Sequence, residues 1–288
     1  MTMPLLAPFV EFGFMRRALA GCLALSLGAT PVGVFLMLRR MSLAGDAMSH
    51  AILPGAAVGY LIAGLSLPAM TAGGLLAGLA VAVFAGGVAR HTVIEEDASL
   101  ATFYLLSLSA GVLIISLRGS SVDLLHVLFG SALALDDATL LLLAAFTSLS
   151  VVALALGLRL FVVDACDPAF LARISRLSPI AHYGFMILLV INLVAGFHAL
   201  GTLMAVGIMI LPAAAARLWV GNVGPLLLCA VGVAFLGSLI GLLFSYYVNL
   251  PAGPAIVLTL GALYLLSLAL GPLGPLAGRR RAGWHFER

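Results

Sequence analysis

The chain has 288 residues, of which 63% are hydrophobic and only 9% charged. A soluble globular domain is nearer half apolar and a quarter charged, so that class is excluded. The net charge of +3 comes from scattered arginines with no lysine anywhere, which is not the footprint of a nucleic-acid binder.

Residues 1–17 mix Pro4, Pro8, Glu11, Arg16 and Arg17 with apolar residues, and an interfacial helix is expected there. The first apolar run, about Ala18 to Leu38 with Pro31 inside it, is long enough to span a bilayer. It reads as a span rather than a cleavable leader. The second span, about Met41 to Gly64, carries Asp46 and His50. Four residues is about one helical turn, so the acid and the imidazole share a face. Pro54 and Gly55 follow one turn later and are expected to break the helix, freeing a backbone carbonyl beside the pair. Ionisable groups at membrane depth are costly and mark function by default.

The third span is about Leu67 to Ala89. A polar patch with Arg90, His91, Glu95, Glu96 and Asp97 then reads as a solvated loop. The fourth span is about Ala98 to Leu117. Residues 118–136 are too polar and short to span, and a re-entrant or surface helix carrying Asp123 and His126 is expected. The fifth span is about Ala138 to Val163.

The longest internal polar interval, 164–179, follows. Asp167 then Pro168 is a good helix start, a side-chain cap followed by proline in the first turn. Arg173 and Arg176 fall near that helix's C-terminus, where positive charge is favoured, and Pro179 is expected to end it. The sixth span, about Ile180 to Ala199, has His182 near its start and His198 near its end. Residues 201–219 are apolar but contain Pro212, so they read as a full span or as two half-helices. The last spans are about Pro225 to Val248 and Ala252 to Leu270. A basic tail, 272–288, holds Arg279, Arg280 and Arg281, which suit anionic lipid, and an exposed His285. The expected fold is all-α: one transmembrane domain over 1–288 with eight or nine spans. Cys22, Cys166 and Cys229 show no paired spacing and read as packing residues.

With the N-terminus outside and nine spans, Arg39, Arg40, Arg90, Arg159, Arg173, Arg176, Arg217 and the tail arginines fall on the cytoplasmic side. That matches the positive-inside tendency. His50 then lies ten residues beyond Arg40, roughly 15 Å at about 1.5 Å per residue. That depth is close to the midplane of a ~30 Å core, where a transporter's central site belongs.

A carboxylate oxygen and an imidazole nitrogen suit Zn²⁺ or Mn²⁺. They equally suit an internal hydrogen bond that holds the second span to its neighbours. His198 is a further candidate for the entry pathway, and Asp123 with His126 for an outer vestibule. His182 reads as an interfacial histidine, with a role at the exit as the alternative. No Gly-x-x-x-x-Gly-Lys-Ser/Thr loop is present, so the chain is not expected to be an enzyme that hydrolyses ATP by that route.

Four blocks resemble the zinc and manganese permeases of ATP-binding-cassette importers, the ABC-3 type. The first runs from Arg39-Arg40-Met41-Ser42 through Gly45-Asp46-Ala47-Met48-Ser49-His50-Ala51 to Leu53-Pro54-Gly55. The others are Leu128-Phe129-Gly130-Ser131, then Gly201 to Val206 with Ile210 to Ala216, and Pro251 to Val257. The resemblance implies a homodimeric permease in the bacterial cytoplasmic (inner) membrane. It implies two copies of a cytoplasmic ATPase and a periplasmic or lipid-anchored protein that delivers the cation. It also implies that the 164–179 segment holds the coupling helix, with Asp167, Pro168, Phe170, Arg173 and Arg176 docking into the ATPase. No permanently bound cofactor is expected. The cargo reads as zinc, with manganese or iron as the alternative. A gradient-driven secondary transporter using Asp46 and His50 as a proton relay is the competing class, and an intramembrane hydrolase a third.

Overall fold

The computed structural model describes residues 7–64, 66–117 and 135–274. All elements in them are helices. They are α1 (Ala7–Glu11), α2 (Gly13–Leu38), α3 (Ser42–Ala63), α4 (Leu67–His91) and α5 (Glu96–Leu117). Then come α6 (Asp137–Cys166), α7 (Pro168–Ile174), α8 (Ser178–Leu200), α9 (Thr202–Arg217), α10 (Val223–Val248) and α11 (Ala252–Leu270). The expected helix at 118–136 is outside the described residues except for Leu135 and Asp136, and Asp123, His126 and Leu128–Ser131 lie outside with it. So do Arg279–Arg281 and His285 in the tail.

Seven of the described helices, α2, α4, α5, α6, α8, α10 and α11, are long and apolar enough to cross a membrane. The chain is a multi-pass membrane protein. The expected count of eight or nine therefore depends on α3, which carries Asp46 and His50, and on the 16-residue α9. At about 1.5 Å per residue α9 is only ~24 Å long, short of a ~30 Å core.

Helices α2 and α8 form the centre, each with 72% of its apolar window buried, against 17% for α5. On one side α3 packs between α4 and α5, and α4 returns to α8. On the other, α9, α10 and α11 pack together, and α9 and α10 lie against α2. Helix α6 lies across α2 and α8. Buried polar groups pair across these contacts, as they must where no water is available. Asn192 of α8 donates to Ser150 Oγ of α6 at 2.7 Å and to the Leu188 carbonyl at 2.8 Å.

The first span begins five residues earlier than expected, at Gly13. Its first turn has partners: Met15 is buried, and Arg17 Nε lies 3.3 Å from Asp137 Oδ1. Of the stretch expected to form an interfacial helix, Ala7–Glu11 form α1 and the residues from Gly13 on belong to α2.

Neither segment read from the sequence as broken at a proline is broken. Helix α9 runs unbroken through Pro212, so it is not two half-helices. Proline has no N–H for the carbonyl four residues back, here that of Ile208. Thr30 Oγ1 of α2 donates to that oxygen at 2.9 Å, so nothing forces the helix apart. Helix α3 likewise passes Pro54 and continues to Ala63, so the expected break at Pro54 and Gly55 does not occur. Ser107 Oγ of α5 donates to the Ala51 carbonyl at 3.1 Å in the turn before the proline. The backbone of α4 also packs closely along this stretch of α3. A Cβ on Gly55 would stand 2.1 Å from the Gly73 carbonyl oxygen of α4, and one on Gly59 2.3 Å from that of Ala69. Only glycine permits this approach, the small-residue packing expected between membrane helices.

Candidate metal site

Helix α3 presents two faces. Met48, Ala51 and Ile52 are buried against the bundle, while Leu43 and Asp46 stand open. Asp46 and His50 meet on the open side, with Oδ1 3.8 Å from Nε2. That is ion-pair range and too long for a hydrogen bond, so the internal hydrogen bond considered from the sequence is not made. The Asp46 side chain is 63% exposed in the single chain and that of His50 33%. The His50 ring leans on Tyr104 of α5, centroids 6.3 Å apart. Ser49 Oγ donates to the Asp46 carbonyl at 2.7 Å, which fixes the backbone turn beneath the carboxylate. Pro54 has no N–H to offer the His50 carbonyl, so that oxygen is released from the helical ladder without any break in the helix. The pair can therefore present one oxygen and one nitrogen to a cation on an open helix face.

Among the described residues no group of three or more His, Cys, Asp or Glu is placed to hold a metal. His198 does not join the pair. Its Nδ1 is 2.9 Å from the Val194 carbonyl, and its Nε2 is 3.5 Å from Thr71 Oγ1 of α4.

The surface helix expected after the fifth span is α7. Asp167 Oδ1 accepts from the Phe170 N–H at 2.9 Å, and Pro168 occupies the first turn. Leu171 is its inward anchor, while Phe170 and Arg173 face out. The helix is shorter than expected. It ends at Ile174, with Ser175 Oγ accepting from the Leu177 N–H at 3.1 Å, so Arg176 lies in the following turn. Pro179 does not terminate it; that proline opens α8.

A second cluster was not expected from the sequence. Arg39, at the C-terminus of α2, is bonded to Asp164 near the end of α6, with side chains only 6% and 4% exposed. Nearby, Glu96 Oε1 of α5 lies 3.3 Å from His182 Nε2 of α8. Arg90 of α4 donates to the Ser178 carbonyl at 3.3 Å. Glu96 is thus not part of a solvated loop, and His182, in the first turns of α8, is buried against neighbouring helices. One signal could have found the cluster. All five residues lie within about one turn of the ends of apolar runs placed on the same membrane side, where opposite charges on neighbouring helices can meet. The cysteines are free: Cys22 is buried as expected, Cys229 half-buried, and Cys166 exposed at the end of α6.

The chain is 30% identical over 262 residues to the manganese import system permease protein ScaB of Streptococcus parasanguinis, covering 91% of this chain and 92% of that one. It is 30% identical to the manganese transport system membrane protein MntC of Listeria innocua, covering 91% and 92%. It is 26% identical to the chelated iron transport system membrane protein YfeD of Yersinia pestis, covering 96% and 91%. Among solved structures, PsaBC from Streptococcus pneumoniae in complex with Fab is similar with a TM-score of 0.81 and 28% identity, covering 95% of this chain and 97% of that one. The sequence model of the ABC 3 transport family matches residues 11–271, and the chain belongs to that family.

Proposed function

We propose that the chain is the permease subunit of an ATP-binding-cassette importer for a divalent transition metal, and that Asp46 and His50 contact the cation in transit. The observation that carries this is the meeting of a carboxylate and an imidazole at 3.8 Å on the open face of α3. An acid that is 63% exposed in the single chain at membrane depth needs water, a cation or a partner chain in front of it. A homodimer with α3 facing inward supplies all three. Two protein ligands bind more weakly than the four of a structural zinc site, and a transported cation has to leave again.

Manganese is the first choice of cargo, ahead of iron and of the zinc favoured on sequence grounds. The three relatives described above are named for manganese or iron, and one carboxylate with one imidazole is a harder donor set than thiolate-rich zinc sites. A delivery protein releases the cation on the outer side, Asp46 and His50 take it up, and rearrangement of the bundle opens the path inward. The chain lies in the bacterial inner membrane with nine spans, α3 and α9 included, and the N-terminus outside. Two copies of a cytoplasmic ATPase supply the energy, with α7 as the element that docks into each.

The test is metal uptake in cells lacking their own importers, with the chain co-expressed with its ATPase and delivery protein, under competing Mn²⁺, Fe²⁺ and Zn²⁺. ATPase-dependent uptake is expected, with Mn²⁺ the strongest competitor. Asp46→Asn and His50→Ala are each expected to lower uptake tenfold or more with assembly retained. Uptake that persists without the ATPase identifies a secondary transporter instead and overturns the proposal.

A further inference from the structure

The buried Arg39–Asp164 pair joins two turns that the proposed transport cycle uses separately. A charge pair taken out of water is a poor source of net stability, because desolvation offsets most of the attraction. Its place in the chain offers another use. Arg39 is followed by Arg40, which holds a left-handed backbone with φ 60°, and α3 begins at Ser42. The first turns of α3 lead directly to Asp46 and His50. On the other side, Asp164 stands three residues before Asp167, the cap of α7. One ion pair therefore ties the base of the cation-bearing helix to the base of the outward-facing short helix.

The surroundings allow that tie to change partners. The Arg39 guanidinium carbon sits 4.0 Å over the Phe185 ring, and Phe185 packs edge-on against Phe35 and Phe161. The arginine is thus guided along an aromatic wall. Its Nε is buried with no hydrogen-bond partner, and so is His182 Nε2, which is within ion-pair range of Glu96 but off its hydrogen-bonding line. A cavity of about 640 Å³ opens beside them, lined among others by Arg39, Arg90, Glu96, Asp164, Pro168 and His182. A closed structural pair would leave neither spare donors nor space. Two acids, Asp164 and Glu96, face one cavity from two different helices, α6 and α5, and give the guanidinium two seats. Discrete alternatives of this kind let a small displacement switch a packed interface.

We propose that Arg39 and Asp164 are positioning residues that transmit movement of α7 to α3, so that ATP turnover in an ATPase docked on α7 moves the Asp46–His50 pair. This rests on the reading of α7 as the ATPase-docking helix and of Asp46 and His50 as cargo contacts.

The test uses the permease with its ATPase and delivery protein in proteoliposomes, and reads cations moved per ATP hydrolysed. Arg39→Met with Asp164→Leu removes the charges while filling the space. The swap Arg39→Asp with Asp164→Arg restores a pair, and Arg39→Lys keeps the charge without the planar fork. The apolar variant is expected to assemble and hydrolyse ATP within about twofold of the parent, with cations per ATP down at least tenfold. The swap is expected to recover a third or more of the parental ratio, and Arg39→Lys to lower it two- to fivefold. A parental ratio in the apolar variant overturns the proposal, as does a swap no better than the apolar variant. If the apolar variant fails to assemble, Arg39→Lys decides, since a parental ratio there overturns it too. Phe170→Ala separates the underlying reading. Undiminished ATPase assembly in that variant sinks α7 as the docking helix, whatever the ratio does in the Arg39 and Asp164 variants.

Discussion

Replacing Gly55 by alanine adds one methyl group where α3 meets α4, one turn beyond His50. That carbon would lie 2.1 Å from the Gly73 carbonyl oxygen, whereas ordinary contact begins at 3.4 Å. The obstacle is backbone, not the end of a flexible side chain, so the two helices have to part by roughly 1.3 Å at this point. Overpacking of this kind costs about 1–3 kcal/mol, and a rigid backbone obstacle belongs in the upper half of that range. For a chain of this size the apparent melting temperature is expected to fall by about 3–5 °C, read by thermal unfolding in detergent. Uptake is expected to fall as well, because the displaced turn carries the His50 carbonyl and ring. Gly87→Ala in the same α4 is the control. Its added carbon meets nothing within 4 Å, and loss of a helical glycine stabilises by roughly 0.5–1 kcal/mol. Gly73→Ala is expected to cost as much as Gly55→Ala, and the double variant less than the sum, since one separation relieves both clashes. A Gly55→Ala protein that melts and transports like the parent would refute the close α3–α4 crossing.

Asp167→Ala removes the hydrogen bond to the Phe170 N–H and is expected to cost about 1 kcal/mol locally. Faster hydrogen exchange in α7 and weaker ATPase pull-down check it, and unchanged exchange contradicts the cap. Asn192→Leu deletes the α8–α6 hydrogen bond to Ser150 and is expected to cost only ~0.6–2 kcal/mol. A larger loss in thermal stability would mean that Asn192 has a further partner. Thr30→Val strips the Ile208 carbonyl of its donor and is expected to kink or loosen α9 at Pro212, visible as increased exchange between Ile208 and Pro212. Unchanged protection there would show that Pro212 is tolerated for another reason.

Much of this could be read from the chain. Apolar runs located the spans because membrane helices have to be long and apolar. Asp167 followed by Pro168 located α7 because the capping chemistry is local. Asp46 and His50 could be paired in advance because one helical turn brings them together wherever the helix lies. What depends on a neighbouring helix was hidden. The effects of Pro54 and Pro212 could not be judged without knowing that Ser107 and Thr30 stand opposite. Nor could the burial of Arg39, Asp164, Glu96 and His182 be seen while each was read as an isolated charge at a span's end. Arg176 missed α7 because Ser175 ends the helix one residue after Ile174, where propensity alone would carry it on.

Direct binding of Mn²⁺ to the purified, detergent-solubilised permease tests the central claim most directly. Free Mn²⁺ is counted by its electron paramagnetic resonance signal as protein is titrated. The parent is expected to bind the ion reversibly, and Asp46→Asn combined with His50→Ala to weaken binding at least tenfold while melting like the parent. Equal affinity in parent and double variant would contradict the account, and would leave Asp46 and His50 as residues that hold α3 in place without touching the cargo.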